Sequence, residues 1–291
     1  MFTRFTLKNC THVGKTFLAG LVVLLMFALS SSAQNVPLTD QNTAAQININ
    51  NQMGMHSWQV DGQEQLFQQW FWYRIGGAGP EQSIDMISAP AYSSTANTLS
   101  TTYTGGSFNI NVLYTLRGAP AGSGVADMTE IITINNTSGG VLDFHFFQYS
   151  DFDLSATIGG QTAALTRNMN PLSPNFNKFI EADQVNAAVS ISETVITPGA
   201  DHGEAGFYPG TLNKLNDLNP TTLSDTLSAG PGDATWSLQW DMTLAASGPG
   251  STMQISKDKH LTLLVIPEPS TLGVLAVGLA AYVIGRRRKA A

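Results

Sequence analysis

The sequence contains one cysteine, Cys10, so no disulfide framework can hold the fold together. Charge is also scarce: 12% of the 291 residues are Asp, Glu, Lys or Arg, with 14 basic residues against 21 acidic ones. A G-x-y period and a heptad bias are both missing, which excludes collagen and long coiled coil. The sequence has no G-x-S-x-G elbow, no phosphate loop and no dinucleotide fingerprint. Long apolar runs occur only near the two ends. What is present is enough for a core, since 43% of the residues are hydrophobic.

The first apolar run, residues 17–29, follows the basic residues Arg4, Lys8 and Lys15 and leads into Ser31-Ser32-Ala33. A basic stretch, an apolar stretch and small residues in that order predict a signal peptide over residues 1–33. Ser31 and Ala33 would present the small side chains that signal peptidase needs, and Gln34 would begin the mature chain. Cys10 leaves with the signal.

At the other end, Pro267-Glu268-Pro269-Ser270 precedes an apolar run over residues 272–285 and then Arg286, Arg287, Arg288 and Lys289. The prolines stop any strand or helix entering the segment. The apolar run predicts a short transmembrane helix, with the basic cluster held on the cytoplasmic side. Residues 270–285 would span about 24 Å as a helix, against a hydrocarbon core of roughly 30 Å. Such a helix anchors weakly, as suits a segment that holds the chain in the inner membrane only transiently.

This three-part tail resembles the PEP-CTERM sorting signal of Gram-negative, exopolysaccharide-producing bacteria. The resemblance implies recognition of Pro267, Glu268 and Pro269 by an exosortase, with the basic cluster fixing topology. Processing would then place the protein at the cell surface or in an extracellular matrix, with exopolysaccharide as a candidate partner.

With the ends set aside, seven basic residues face 20 acidic ones between residues 34 and 266, a net charge of −13. That balance argues against nucleic acid as a partner. The body, residues 34–265, reads as all-β, and residues 266–291 form the sorting segment. Phe108, Ile110, Val112, Tyr114 and Leu116 alternate with smaller or polar residues, and Trp236, Leu238, Trp240 and Met242 repeat the pattern. Further strands are expected over 46–50, 66–75, 128–135, 142–149, 178–182, 188–196 and 260–266. Gly/Asn turns between them predict an antiparallel β-sandwich. One helix is expected over 211–218, and residues 34–45 read as a polar leader. The stretches Asn136 to Gly140 (N-x-S/T-G-G), Tyr149 to Leu154 (Y-x-D-F-D-L), Pro231 to Asp241 and Ile255 to Lys259 (I-S-K-D-K) are similar to bodies found in other PEP-CTERM proteins, which supports the same fold.

Candidate chemistry rests on carboxylates. Asp151 and Asp153 flank Phe152, and on a strand the two would share a face. They could mark a solvated strand end, ligands for Ca²⁺, or a glycosidase pair. Asp143 and His145 read as the solvent face of a strand. Asp201-His202-Gly203-Glu204 reads as a turn-rich loop carrying three polar groups. Trp58, Trp70, Phe71, Trp72, Tyr73, Trp236 and Trp240 are expected in the core, unless one pair is left outside to stack on sugars. The sequence-based expectation is therefore a structural or polysaccharide-associated surface protein, without enzymatic activity and without a cofactor. The alternative is a secreted polysaccharide-processing enzyme using Asp151, Asp153, or Asp201 with Glu204.

Overall fold

The computed structural model describes residues 34–264. Ser31, Ala33, the PEP motif, the apolar tail and the basic cluster lie outside the described residues. Among the described residues, no helix is long and apolar enough to cross a membrane.

The fold is all-β and antiparallel, built from two large sheets. In the first, neighbouring strands run Asn35–Asp40, Thr43–Asn48, Met55–Val60, Gln68–Ile75, Leu142–Asp151, Ala234–Leu244 and His202–Phe207. The second runs Ser228–Gly232, Gln161–Arg167, Phe179–Val185, Val189–Thr197, Thr252–Leu263, Val125–Asn136, Phe108–Gly118, Thr98–Thr104 and Ala91–Ser94. The expected helix is present but shorter, Gly210–Leu215.

Several expectations are corrected. Residues 34–45 are not a leader: Asn35–Asp40 and Thr43–Asn48 form a hairpin that buries Val36, Leu38, Ala45 and Ile47. Thr, Gln and Asn on the outward positions hide that alternation. His202–Phe207 is an edge strand rather than a loop, because it completes its ladder with Ala234–Leu244. Ser228–Gly232 likewise pairs with Gln161–Arg167 despite its Gly-Pro-Gly sequence.

All seven core-candidate aromatics are buried. Every residue from Gln68 to Arg74 is buried, so this strand has no solvent face. One side packs toward the second sheet, where Tyr73 meets Phe108 at 5.0 Å between ring centroids. The chain after the short helix covers the other side. Trp72 Nε1 donates to Asn216 Oδ1 (3.2 Å), and the Leu223 amide donates to Gln239 Oε1 (2.9 Å). Arg74 Nη1 donates to the Thr221 carbonyl (2.8 Å) and pairs with buried Glu81.

The centre of the sandwich is charged. Glu130, Glu193, Lys257 and Lys259 all have fully buried side chains. Lys257 Nζ lies 2.6 Å from Glu130, while Lys259 Nζ lies 2.7 Å from both Glu130 and Glu193. Register explains the lattice. Lys257 stands opposite Glu130 on one neighbouring strand, and Lys259 stands opposite Glu193 on the other. Gln148 reaches across from the first sheet, donating to Glu193 (3.0 Å) and accepting from Lys257. Burial pushes the Glu130 carboxyl up, but the two lysine charges outweigh it and hold the carboxyl below its ordinary range.

Removing one partner from such a lattice strands an opposite charge in the core. Lys257→Met is expected to destabilise the protein by about 3–5 kcal/mol. Replacing all four groups with apolar residues of similar volume should recover most of that loss, because no charge is then left unpaired. Urea unfolding of both variants checks the pair of outcomes.

Candidate functional site

Four adjacent strands of the first sheet come to a common end, and the residues at that end form a cleft. Phe67 precedes Gln68–Ile75, Asp151 closes Leu142–Asp151, Asp233 precedes Ala234–Leu244, and Tyr208 follows His202–Phe207. With Asp153 and Ile158 they line a cleft of about 230 Å³. The backbone ties these ends together: the Phe67 amide donates to the Asp151 carbonyl (3.0 Å), and the Tyr208 amide to the Asp233 carbonyl (3.1 Å).

Phe152 sets the carboxylates. It is fully buried and stacks on Trp236 with ring centroids 6.3 Å apart and planes 9° apart. Asp151 and Asp153, on either side of it, are thereby held at the floor of the cleft. Carboxylate oxygens of Asp151, Asp153 and Asp233 all lie within 4.8 Å of one another. Asp151 is 1% exposed; Tyr149 donates to its Oδ2 (3.1 Å), and its Oδ1 has no hydrogen-bond partner. Among the described residues, no Lys, Arg or His forms an ion pair with any of the three.

Three like charges in a part-buried cleft resist ionisation. Burial, then the Asp233 and Asp153 charges, push Asp151 up to about 7. Burial and Asp233 push Asp153 up to about 6, and burial raises Asp233. The walls above them are apolar and exposed. Phe67 and Tyr208 are 46% and 44% exposed and meet edge to face, centroids 5.9 Å apart at 83°.

The structure thus joins Asp151 to Asp153, as their i, i+2 spacing suggested, and adds Asp233, Phe67 and Tyr208, which sequence reasoning missed. Asp151 is not at a solvated strand end, because Tyr149, Phe152 and the neighbouring strands cover it. Asp233 lies in the Pro231 to Asp241 stretch, whose pattern points to a fold and marks no site. An aromatic next to a strand terminus carries no periodic mark, so nothing in the sequence singles out Phe67 and Tyr208.

The other candidates do not converge on this cleft. Glu204 is buried and saturated: Lys214 (2.7 and 2.9 Å), Thr211 (2.6 Å) and the Ser224 amide (2.9 Å) all donate to it. Burial alone would raise its pKa, yet these donors hold it down at about 2. Asp201 is paired with Lys178. Both are structural anchors for an edge strand, so the enzyme reading loses the Asp201/Glu204 pair. His145 is not on an open solvent face, being 14% exposed in its side chain with Nδ1 2.6 Å from Asp241; Asp143 does face solvent.

The strain in the acid cluster has a thermodynamic sign. Asp151 binds its proton more tightly folded than unfolded, so in metal-free buffer stability falls as pH rises from about 4 through about 7. Asp151→Asn is therefore expected to stabilise the protein at pH 8 by about 2–4 kcal/mol. The gain should shrink to nothing toward pH 4, a trend that chemical unfolding at several pH values measures.

Comparison with known proteins bears on both the tail and the body. No curated protein matches the sequence. Among solved structures, an Escherichia coli K12 protein assigned as an aldose 1-epimerase aligns with 80% of this chain and 100% of its own, at 10% identity and a TM-score of 0.54. A bacterial glucoamylase solved with acarbose aligns with 86% of this chain and 36% of its own, at 9% identity and a TM-score of 0.52. At such identities what is shared is the fold. The expectation of a body without enzymatic activity is nevertheless corrected, since the fold it was placed on is one that carbohydrate-active enzymes use. Residues 265–289 match the PEP-CTERM protein-sorting motif, so the chain carries that sorting signal, which implies recognition by an exosortase during export.

Proposed function

We propose that this protein is delivered through its sorting tail to the cell surface or extracellular matrix, and that its β-sandwich holds and processes polysaccharide in the Asp151–Asp153–Asp233 cleft. The observation that carries this reading is the pairing of two exposed aromatic walls with a floor of clustered carboxyl groups. Rings of Phe67 and Tyr208 offer apolar faces against which a sugar ring can pack, and carboxylate oxygens accept hydrogen bonds from its hydroxyls. Loop ends gathered on a rigid sheet are where such sites are commonly built. The kinship of the fold with an aldose 1-epimerase and a glucoamylase supports carbohydrate as the substrate class.

In the sorting step, Ser31, Ala33 and Gln34 would serve signal peptidase. Pro267, Glu268 and Pro269 would then be read by exosortase while Arg286, Arg287, Arg288 and Lys289 hold the tail at the inner membrane.

Two experiments test the two halves. Incubating the protein purified from its host with the host exopolymer should yield new reducing ends or altered chain length. Phe67→Ala and Tyr208→Ala should each weaken retention on that polymer by about five- to tenfold, equivalent to about 1 kcal/mol. Neither product nor retention with the wild type would remove the polysaccharide reading. For sorting, replacing Pro267-Glu268-Pro269 with alanines should leave an unprocessed, membrane-bound form on immunoblots. An unchanged size and distribution would refute the role of the motif.

A further inference from the structure

The acid cluster holds more negative charge than its surroundings answer. In the core, Glu130 and Glu193 face Lys257 and Lys259, and Glu81 faces Arg74. The cleft differs: three carboxylates converge within 4.8 Å, and among the described residues no cation of the protein pairs with them. Asp151 adds an independent sign. It is 1% exposed, it lines the cleft, and its Oδ1 is buried without a hydrogen-bond partner. A buried carboxylate oxygen left unsatisfied is costly, so one on a residue that lines the cleft beside two further carboxylates calls for a ligand.

We propose that Asp151, Asp153 and Asp233 form a binding site for a hard divalent cation, Ca²⁺. The donor set is all oxygen, with no cysteine or histidine in the group, which favours hard cations over soft and borderline ones. Three carboxylates, binding through one or both oxygens, supply three to six of the six to eight ligands that Ca²⁺ takes. The remaining positions face the cleft, where water or vicinal hydroxyls can fill them. That last use, cation contact with a sugar between Phe67 and Tyr208, rests on the polysaccharide reading above; the cation site itself does not.

Construction favours this assignment over a chance meeting of surface acids. Asp151 and Asp153 are fixed by the buried Phe152 between them. Asp233 sits where its own carbonyl accepts from Tyr208, immediately before the strand that pairs with the one ending at Asp151. Three groups from two chain segments 80 residues apart are thus held on the ends of hydrogen-bonded neighbours. Asp151 ends a strand, and Asp153 and Asp233 lie within two residues of one, so the site is held close to the ladders.

The test uses the whole protein, stripped with EDTA and dialysed. Tb³⁺, a Ca²⁺ mimic whose emission is sensitised by nearby Tyr and Trp, should bind with one-to-one stoichiometry, and Ca²⁺ should displace it with a dissociation constant of roughly 10⁻⁴ M, the range of extracellular Ca²⁺ modules. Asp153→Asn and Asp233→Asn, both on part-exposed side chains, should each weaken binding at least tenfold while circular dichroism and thermal unfolding show a folded protein. Absence of binding at 10 mM Ca²⁺, or wild-type affinity in both variants, would overturn the site. Polymer retention measured with Ca²⁺ and with EDTA separates the two readings. Cation binding without any polymer retention would leave the Ca²⁺ site standing and remove the polysaccharide function.

Discussion

The structure depends on a salt lattice in a place where apolar packing would be the default. Glu130, Lys257, Glu193 and Lys259 lie on the inner face of three adjacent strands, fully buried, in alternating order across the sheet. A one-residue slip of Thr252–Leu263 would turn both lysines outward and leave two glutamates buried without a counter-charge. The lattice therefore penalises every register but one, a stronger constraint than the hydrophobic pattern of that strand could supply. Gln148 extends the constraint to the opposite sheet, since its amide oxygen accepts from Lys257 and its amide nitrogen reaches Glu193. Lys257 also sits over the Phe71 ring, 5.0 Å from its centroid, so the aromatic core is tied to the same point.

From that anchor the geometry of the cleft follows along one strand. Leu142–Asp151 carries Gln148 on the face toward the second sheet and Tyr149 and Asp151 on the other. Pinning Gln148 in the lattice fixes where Asp151 falls, three residues later. Pairing with Ala234–Leu244 then sets Asp233 just beyond the register partner of Asp151, which is Thr235. The position of Asp151 is thus inherited from the core through hydrogen-bonded ladders, and Phe67, Tyr208 and Asp233 each stand one residue from a strand end. This is the economy of placing a site at strand ends: precision comes from elements already held by burial.

How much of this the sequence discloses depends on whether one face of a strand is uniformly apolar. Phe108–Gly118 and Ala234–Leu244 have such a face, and both are legible with boundaries close to those observed. Ile255 to Lys259 does not, because Lys257 and Lys259 alternate with Ser256 and Asp258, and polarity on both sides gives no hint of which side is buried. Only the glutamates of the neighbouring strands decide it, and they lie more than 60 residues away. The same reasoning explains the site. Asp151 and Asp153 stand two residues apart and are visible as a pair, whereas Asp233, Phe67 and Tyr208 join them only through the order of strands in the sheet. The sorting segment is legible for the opposite reason, since its recognition depends on local order of proline, apolar and basic residues and needs no fold.

The contrast between core and cleft carries the functional argument. A chain that places two glutamates and two lysines in its interior with each charge answered has no general shortage of cations where they are needed, even though the body carries only seven of them. The cleft is the place where that rule stops. Asp151 is as inaccessible as the lattice residues, yet its neighbours are two more carboxylates, and its pKa is raised where that of Glu130 is lowered. Burial is common to both sites, so the difference in sign comes from the company each carboxylate keeps. An unanswered charge cluster costs stability in the free protein, and stored electrostatic strain of this kind is what a ligand can release on binding. The exposed rings of Phe67 and Tyr208 line the same cleft as that strain, which sets an apolar surface and an unanswered charge cluster side by side.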